Sequence, residues 1–395
     1  MSEDELREAL ARAAPVDPAV RERALRVVES AFAEARPQPR RARPSWPSVL
    51  VAAALLALAG VGAATAAAPQ AGVSRWVRDV LGVGPPGIEP TLVRIPGGGR
   101  LLATAGPDLW SISPDGSRRR LGRYSGAAWS PRGRFVIAWR SGMLTAIDPR
   151  GAVRWSLVRR EPISSARWSP DDGFRIAYVA GGALRIVNGD GTGDRRYAPV
   201  HRRVAPAWRP DGHHVLAYVD RRRRIDVVLV DEGRRLWRSP PLGRVVQLAW
   251  SADGRRLAAL APRRLLVFDA DGRRRARRDL PGAMTARAAA WAPRGRRIAV
   301  VGDGPGSARS EVAISGGDAP ARSLFSGPGR LGRPAWSPEG RRLLVSWPAA
   351  DQWLFFHGRG LRRLTAVAGM TRQLPAGTGG GDFPWALDWC CRRPQ

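Results

Sequence analysis

Lysine is missing from this sequence altogether, cysteine is confined to the adjacent pair Cys390 and Cys391, and histidine to His201, His213, His214 and His357. So few cysteines exclude the disulfide framework that holds small secreted domains together. The histidines offer little to a metal centre, because the neighbours His213 and His214 on a strand would point to opposite faces. No Gly-x-Ser-x-Gly occurs, which removes the nucleophile elbow of an α/β-hydrolase. Gly302-Asp303-Gly304-Pro305-Gly306-Ser307 has neither a lysine nor a following helix pattern, as a phosphate-cradling loop would need. Asn188-Gly189-Asp190-Gly191-Thr192-Gly193-Asp194 has part of the spacing of a calcium loop, yet Pro199 stands where the closing glutamate of an EF-hand belongs, and a plain turn accounts for it. The sequence therefore points away from an enzyme. It nominates no catalytic, cofactor-binding or metal-ligating residue and no cofactor, and it leaves the residues of any binding site unknown.

With no lysine, all 65 basic residues are arginine, set against 34 acids for a formal net charge of +31. The first 47 residues hold nine arginines and eight acids, so nearly all of the excess lies beyond them. Such a balance suits nucleic acid, anionic lipid or an acidic wall polymer as partner. The plain alternative is that arginine simply replaces lysine on solvated strands and turns.

Residues 48–69, SVLVAAALLALAGVGAATAAAP, carry no charge, and a helix of that length crosses the ~30 Å of bilayer hydrocarbon. A buried helix and the apolar part of a signal peptide are the alternatives, but a preceding segment of nearly fifty residues is long for a signal peptide. Arg36, Arg40, Arg41 and Arg43 precede the span closely and only Arg75 and Arg78 follow it, which predicts a cytoplasmic N-terminus and an extracytoplasmic remainder at the cell membrane. That placement removes genomic nucleic acid as a partner and leaves a protein, a peptide or an anionic envelope component.

Residues 1–47 read as a short cytoplasmic helical segment. Ser2 and Glu5 have capping-box spacing, Asp17-Pro18 begins a second helix, and Leu25, Val28 and Phe32 share one face of it. Its position is similar to that of the cytoplasmic piece of a membrane-bound anti-sigma factor, without the His and Cys of the zinc-binding form. A self-packed hairpin or a simple stalk is the alternative. Over residues 70–90, Val73, Trp76, Val77, Val80 and Leu81 form one apolar stripe of a juxtamembrane helix, which Gly82, Gly84, Pro85, Pro86 and Gly87 break.

From residue 91 to 395 one phrase recurs. AAWSPRGRFVIAW around Trp129 returns around Trp168, Trp208, Trp250, Trp291 and Trp336, at successive spacings of 39, 40, 42, 41 and 45 residues. Each unit continues with an apolar run, a break, a second run often ending in Asp-x-x-Gly, and an Arg-rich piece, which is the order of a four-stranded propeller blade. Ser-Pro-Asp-Gly supplies the fixed φ and the left-handed position that a tight turn needs. Second strands such as Val215 to Val219 and Ile298 to Val301 are apolar throughout because both faces of a blade are covered. The arginine runs 118–120, 221–224 and 273–275 are expected on solvated outermost strands, where charge also blunts the sheet edge. Trp353 and Phe355 are expected on one face of a strand and Phe356 on the other, as blade packing requires.

Residues 383–389, FPWALDW, read as a first strand with nothing after it, and RLLATAG, DLWSISPDG and RRRLGRY before Trp129 as the three strands of a blade lacking its first. Joined, they make a seventh blade and close an all-β ring, with six blades and irregular ends as the alternative. The repeats resemble those of the TolB-like propellers over roughly residues 91–389. The resemblance implies a recognition scaffold that uses the mouth of its central channel, and it carries over no particular partner. Cys390 and Cys391 are left as a vicinal bridge, an intermolecular bridge or two free thiols. The function expected is a membrane-anchored binding or scaffold protein of the cell envelope. The alternative is a transmembrane signalling protein, with the propeller as sensor and a cytoplasmic regulator held at residues 1–35.

Overall fold

The computed structural model describes residues 94–170, 174–316, 321–374 and 382–391. The segments 1–47, 48–69 and 70–90 lie outside these residues. Among the described residues no helix is long and apolar enough to cross a membrane.

Those residues form seven four-stranded antiparallel sheets. Six are continuous in sequence, and their first strands are Gly126–Trp129, Ile163–Trp168, Ala207–Trp208, Gln247–Trp250, Thr285–Trp291 and Ala335–Trp336, for blades 2 to 7. Blade 1 is composite: Trp385–Cys390 supplies its first strand beside Arg100–Ala105, Asp108–Ile112 and Arg118–Arg123, in the register Leu101 to Trp389 and Leu102 to Asp388. Each first strand touches the first strands of both neighbouring blades all the way round, so the ring is closed and has seven blades.

The core is divided into seven apolar clusters, one between each pair of adjacent blades. Alternation along a strand explains this division. In Arg256–Ala261, Leu257 and Ala259 face blade 4 while Ala258 and Leu260 face blade 6, so the strand has no polar side. Trp353 and Phe355 likewise turn to blade 1, and Leu354 and Phe356 to blade 6.

The recurring phrase has a specific job at each residue. The Ser carbonyl accepts the Gly N–H in Ser130–Gly133, Ser251–Gly254 and Ser337–Gly340, and the Ser hydroxyl accepts the N–H that opens the next strand, at Phe135, Arg256 and Arg342. The indole closes the gap to the preceding blade: Nε1 of Trp208, Trp291 and Trp336 donates to the carbonyls of Arg167, Ala249 and Ala290, each the residue before the previous blade's Trp. Outer-strand Trp155 and Trp237 reach forward instead, to the carbonyls of Gly189 and Ala270. A Cβ on Gly272, whose φ is +87°, would stand 2.6 Å from the Trp237 ring, so the Asp-x-x-Gly turn needs glycine for room as well as for conformation.

Two expectations about position need correction, and one left open is decided. Arg221–Arg224 is not on an outermost strand: it is the turn joining Val215–Val219 to Ile225–Leu229. Polar runs of this kind suit a turn as well as a solvated strand, and composition does not separate them. His213 and His214 are in the turn before Val215 and not on a strand, with His214 at φ +48° and its Nδ1 2.5 Å from Asp231. Cys390 and Cys391 are joined to each other as a vicinal bridge, beside the Ser130–Gly133 turn.

Candidate functional site

The antiparallel order of each blade gives the ring two unlike rims. One carries the turns between first and second strands and between third and fourth. The other carries the turns between second and third strands and the connections from blade to blade. Both ends of the described chain arrive on the first rim: Gly97 lies against Glu339 and Arg342, Ile95 N–H donates to the Pro114 carbonyl, and Cys391 lies against Gly133.

On that first rim and along the strands, the acids hold arginines in place. Asp148 accepts the N–H groups of Arg150 and Ala152 and the Arg154 guanidinium at 2.8 Å; Asp269 does the same for Asp271, Arg273 and Arg275. Burial pushes both carboxyls up, but these bonds outweigh it and their pKa values lie below the ordinary range. Buried Asp108 takes Arg120 and buried Asp226 takes Arg238, each at 2.6 Å. Further arginines cover indoles, as Arg297 does at 5.1 Å from the Trp336 ring. The loop with partial calcium spacing is occupied in the same way. Asp190 is spent on Thr192, and Asp194 on Arg185, Arg159 and Tyr178. Among the described residues, no group of three or more His, Cys, Asp or Glu could hold a metal ion.

The lumen holds a second set. Arg167 on the first strand of blade 3, Arg333 just before that of blade 7 and Asp388 on that of blade 1 come close enough for Arg167 to feel both of the others' charges. Burial pulls the Arg167 guanidinium down, Arg333 pulls the same way, and Asp388 opposes them. Burial also holds Asp388 above the ordinary carboxylate range, against the Trp129 N–H at 2.9 Å and the charge of Arg167. Burial pulls the Arg333 guanidinium down as well, and the charge of Arg330 acts in the same direction.

The third set lies on the second rim. A cavity of about 630 Å³ opens between blades 3, 4 and 5, lined by Arg202 and Arg203 from the connection between blades 3 and 4, Arg221 and Arg223 from the turn in blade 4, and Arg244 from the connection between blades 4 and 5. None of these five guanidiniums has a carboxylate or hydrogen-bond partner among the described residues, and no acid lines the cavity. Buried Asp220 shapes the blade 4 turn: its Oδ1 accepts the Arg224 N–H at 2.9 Å, its carbonyl accepts the Arg223 N–H, and Arg224 covers its other oxygen. Arg223 is thereby held at φ +62°, a left-handed conformation that costs about 1–2 kcal/mol in a residue with a Cβ. The floor is apolar, with Val200, Val219, Val245 and Val246 beside Gly181 and Gly182. His201 also lines the cavity, and its buried Nδ1 has no partner among the described residues.

The sequence pointed to the channel mouth without naming residues. Arg333 and the five cavity arginines lie on that rim, but the cavity itself is displaced toward blades 3 to 5. Only ring curvature brings residues 202, 221 and 244 together, so no local signal marked them.

No protein-family model matches the chain, and no curated protein matches it. Among solved structures, a chain of the mitotic checkpoint complex is similar with a TM-score of 0.54 at 17% identity, over 75% of this chain and 98% of that one. The β-propeller domain of Cps50 (Swd1) from Myceliophthora thermophila is similar with a TM-score of 0.53 at 15% identity, over 67% and 99%. At such identities the likeness establishes a shared β-propeller fold and nothing about ligands.

Proposed function

We propose that the chain is a single-pass, membrane-anchored propeller of the TolB-like type that holds a protein, peptide or anionic component in the cell envelope without catalysing a reaction. The observation that carries this reading is the division of labour between the rims. Both described chain ends sit on one rim, while the other carries a cavity lined by five arginines and no acid, which a tether at residues 48–69 would leave free to meet a ligand. A propeller suits the task because its loops vary around a rigid ring. The test is topology together with capture. Membranes bearing the full-length protein are extracted with alkaline carbonate and treated from outside with protease, and envelope material is then captured on the protein. Retention in the membrane, external cleavage and salt-resistant capture support the reading; release by carbonate or protection from outside protease rejects the anchor or its orientation.

A second reading is favoured by one feature, the helix-patterned segment before the span in which Leu25, Val28 and Phe32 share a face. It would hold a cytoplasmic regulator and release it when the propeller is occupied. Deleting residues 1–35 separates the two: altered transcription with the propeller still exported supports signalling, and unchanged transcription with intact capture supports the scaffold.

A further inference from the structure

The geometry points to a phosphate ester as the ligand of the cavity between blades 3, 4 and 5; we propose that its phosphate is gripped by Arg202, Arg221, Arg223 and Arg244 while its organic part rests on the valine floor. The inference deepens the binding reading above and rests on it.

Convergence sets these residues apart, since unpartnered arginines also occur singly on the outer strands. Three segments distant in sequence bring five arginines to the lining of one concavity, with no acid among its lining residues. A single carboxylate would neutralise one of these charges. A phosphate carries up to two, with several acceptor oxygens that match the planar donor fork of arginine, and it can be gripped by more than one guanidinium at once. The absence of lysine means that every cation here is of the type suited to that two-point geometry.

The floor decides between a bare ion and an ester. Val246 is only partly buried, and together with the edges of the buried Val200, Val219 and Val245 it gives the cavity an apolar base that inorganic phosphate would leave unused. The blade 4 turn is already fixed in its strained form by Asp220, so Arg221 and Arg223 need little further ordering when a ligand arrives.

The test uses the full-length protein and calorimetric titration with glucose 1-phosphate, glycerol 3-phosphate, inorganic phosphate and citrate. Saturable binding of an ester, tighter than inorganic phosphate and than citrate, is expected. Whichever ester is tighter indicates the source, a sugar phosphate or a lipid headgroup. The triple variant Arg202→Gln/Arg221→Gln/Arg244→Gln should lose roughly tenfold or more in affinity, whereas Arg119→Gln/Arg274→Gln/Arg277→Gln, which removes the same charge from outer strands, should stay within about twofold of wild type. Arg244→Gln alone is the second variant should the triple one unfold, and it should weaken binding in the same direction. Equal losses in the two triple variants, citrate as tight as the esters, or no saturable binding would overturn the proposal. The two readings fail separately. Loss of ester binding leaves carbonate resistance and external cleavage untouched, and a failed anchor leaves the titrations intact.

Discussion

Both rims of the ring use aspartate to fix a turn and hold an arginine, as Asp148 does on one and Asp220 on the other, but only one of them also gathers arginines around an acid-free cavity. On the rim where the described chain begins and ends, aspartates and serines saturate turn N–H groups and hold arginines, as at Asp148, Asp269 and Ser337. On the other rim, Arg202, Arg221 and Arg244 line an open cavity with no acid among its lining residues. A net charge that suggests one electrostatic role thus divides into arginines that complete turns and strands and arginines left available. Pairing separates the two groups, and abundance does not.

The comparison can be broken most severely on the closed rim. Trp389→Ala removes a side chain 6% exposed, set edge-on to Phe355 at 5.9 Å and donating to the Gly98 carbonyl, from the strand that closes the ring. It should lower stability by about 3–5 kcal/mol, read from the shift in a denaturant midpoint. Acid should act on the same rim next. The carboxyls of Asp148 and Asp269 titrate below their unfolded values, so the unfolded chain binds more protons there and stability falls as pH drops below about 4. Thermal midpoints measured from pH 6 to pH 2.5 should stay flat and then decline; a rise on acidification would contradict the pairing. Asp269→Ala, which abandons two turn N–H groups and Arg275, should cost about 1–2 kcal/mol. Arg221→Gln on the open rim should change stability by no more than about 0.5 kcal/mol, so a loss comparable to that of Asp269→Ala would mean that the two rims do not differ as described.

Much of the fold was legible because the repeat writes its own geometry. Trp before a Ser-Pro-x-Gly turn marks the end of a first strand, an unbroken apolar run marks a second strand covered on both faces, and FPWALDW matches the gap at the start of the array. The site was not legible in the same way. Arg221–Arg224 has the composition of a solvated strand and proves to be a turn, because a run of arginines satisfies either. Arg167, Arg333 and Asp388 share a lumen although they belong to different blades, a relation set by the circumference of the ring and not by any spacing of neighbouring residues. The tethering segments lie outside the described residues, so that part of the sequence reading stands as a proposal.

Blade 1 borrows its inner strand from residues 385–390, some 280 positions after the strand it pairs with. A ribosome therefore releases nearly the whole wheel before its rim can be fastened, and until then Arg100–Ala105 presents a bare sheet edge to any passing strand. This late strand acts as a latch, and a product cut short before it should be recognised by proteases as an unfastened, sticky array rather than tolerated as a slightly smaller propeller.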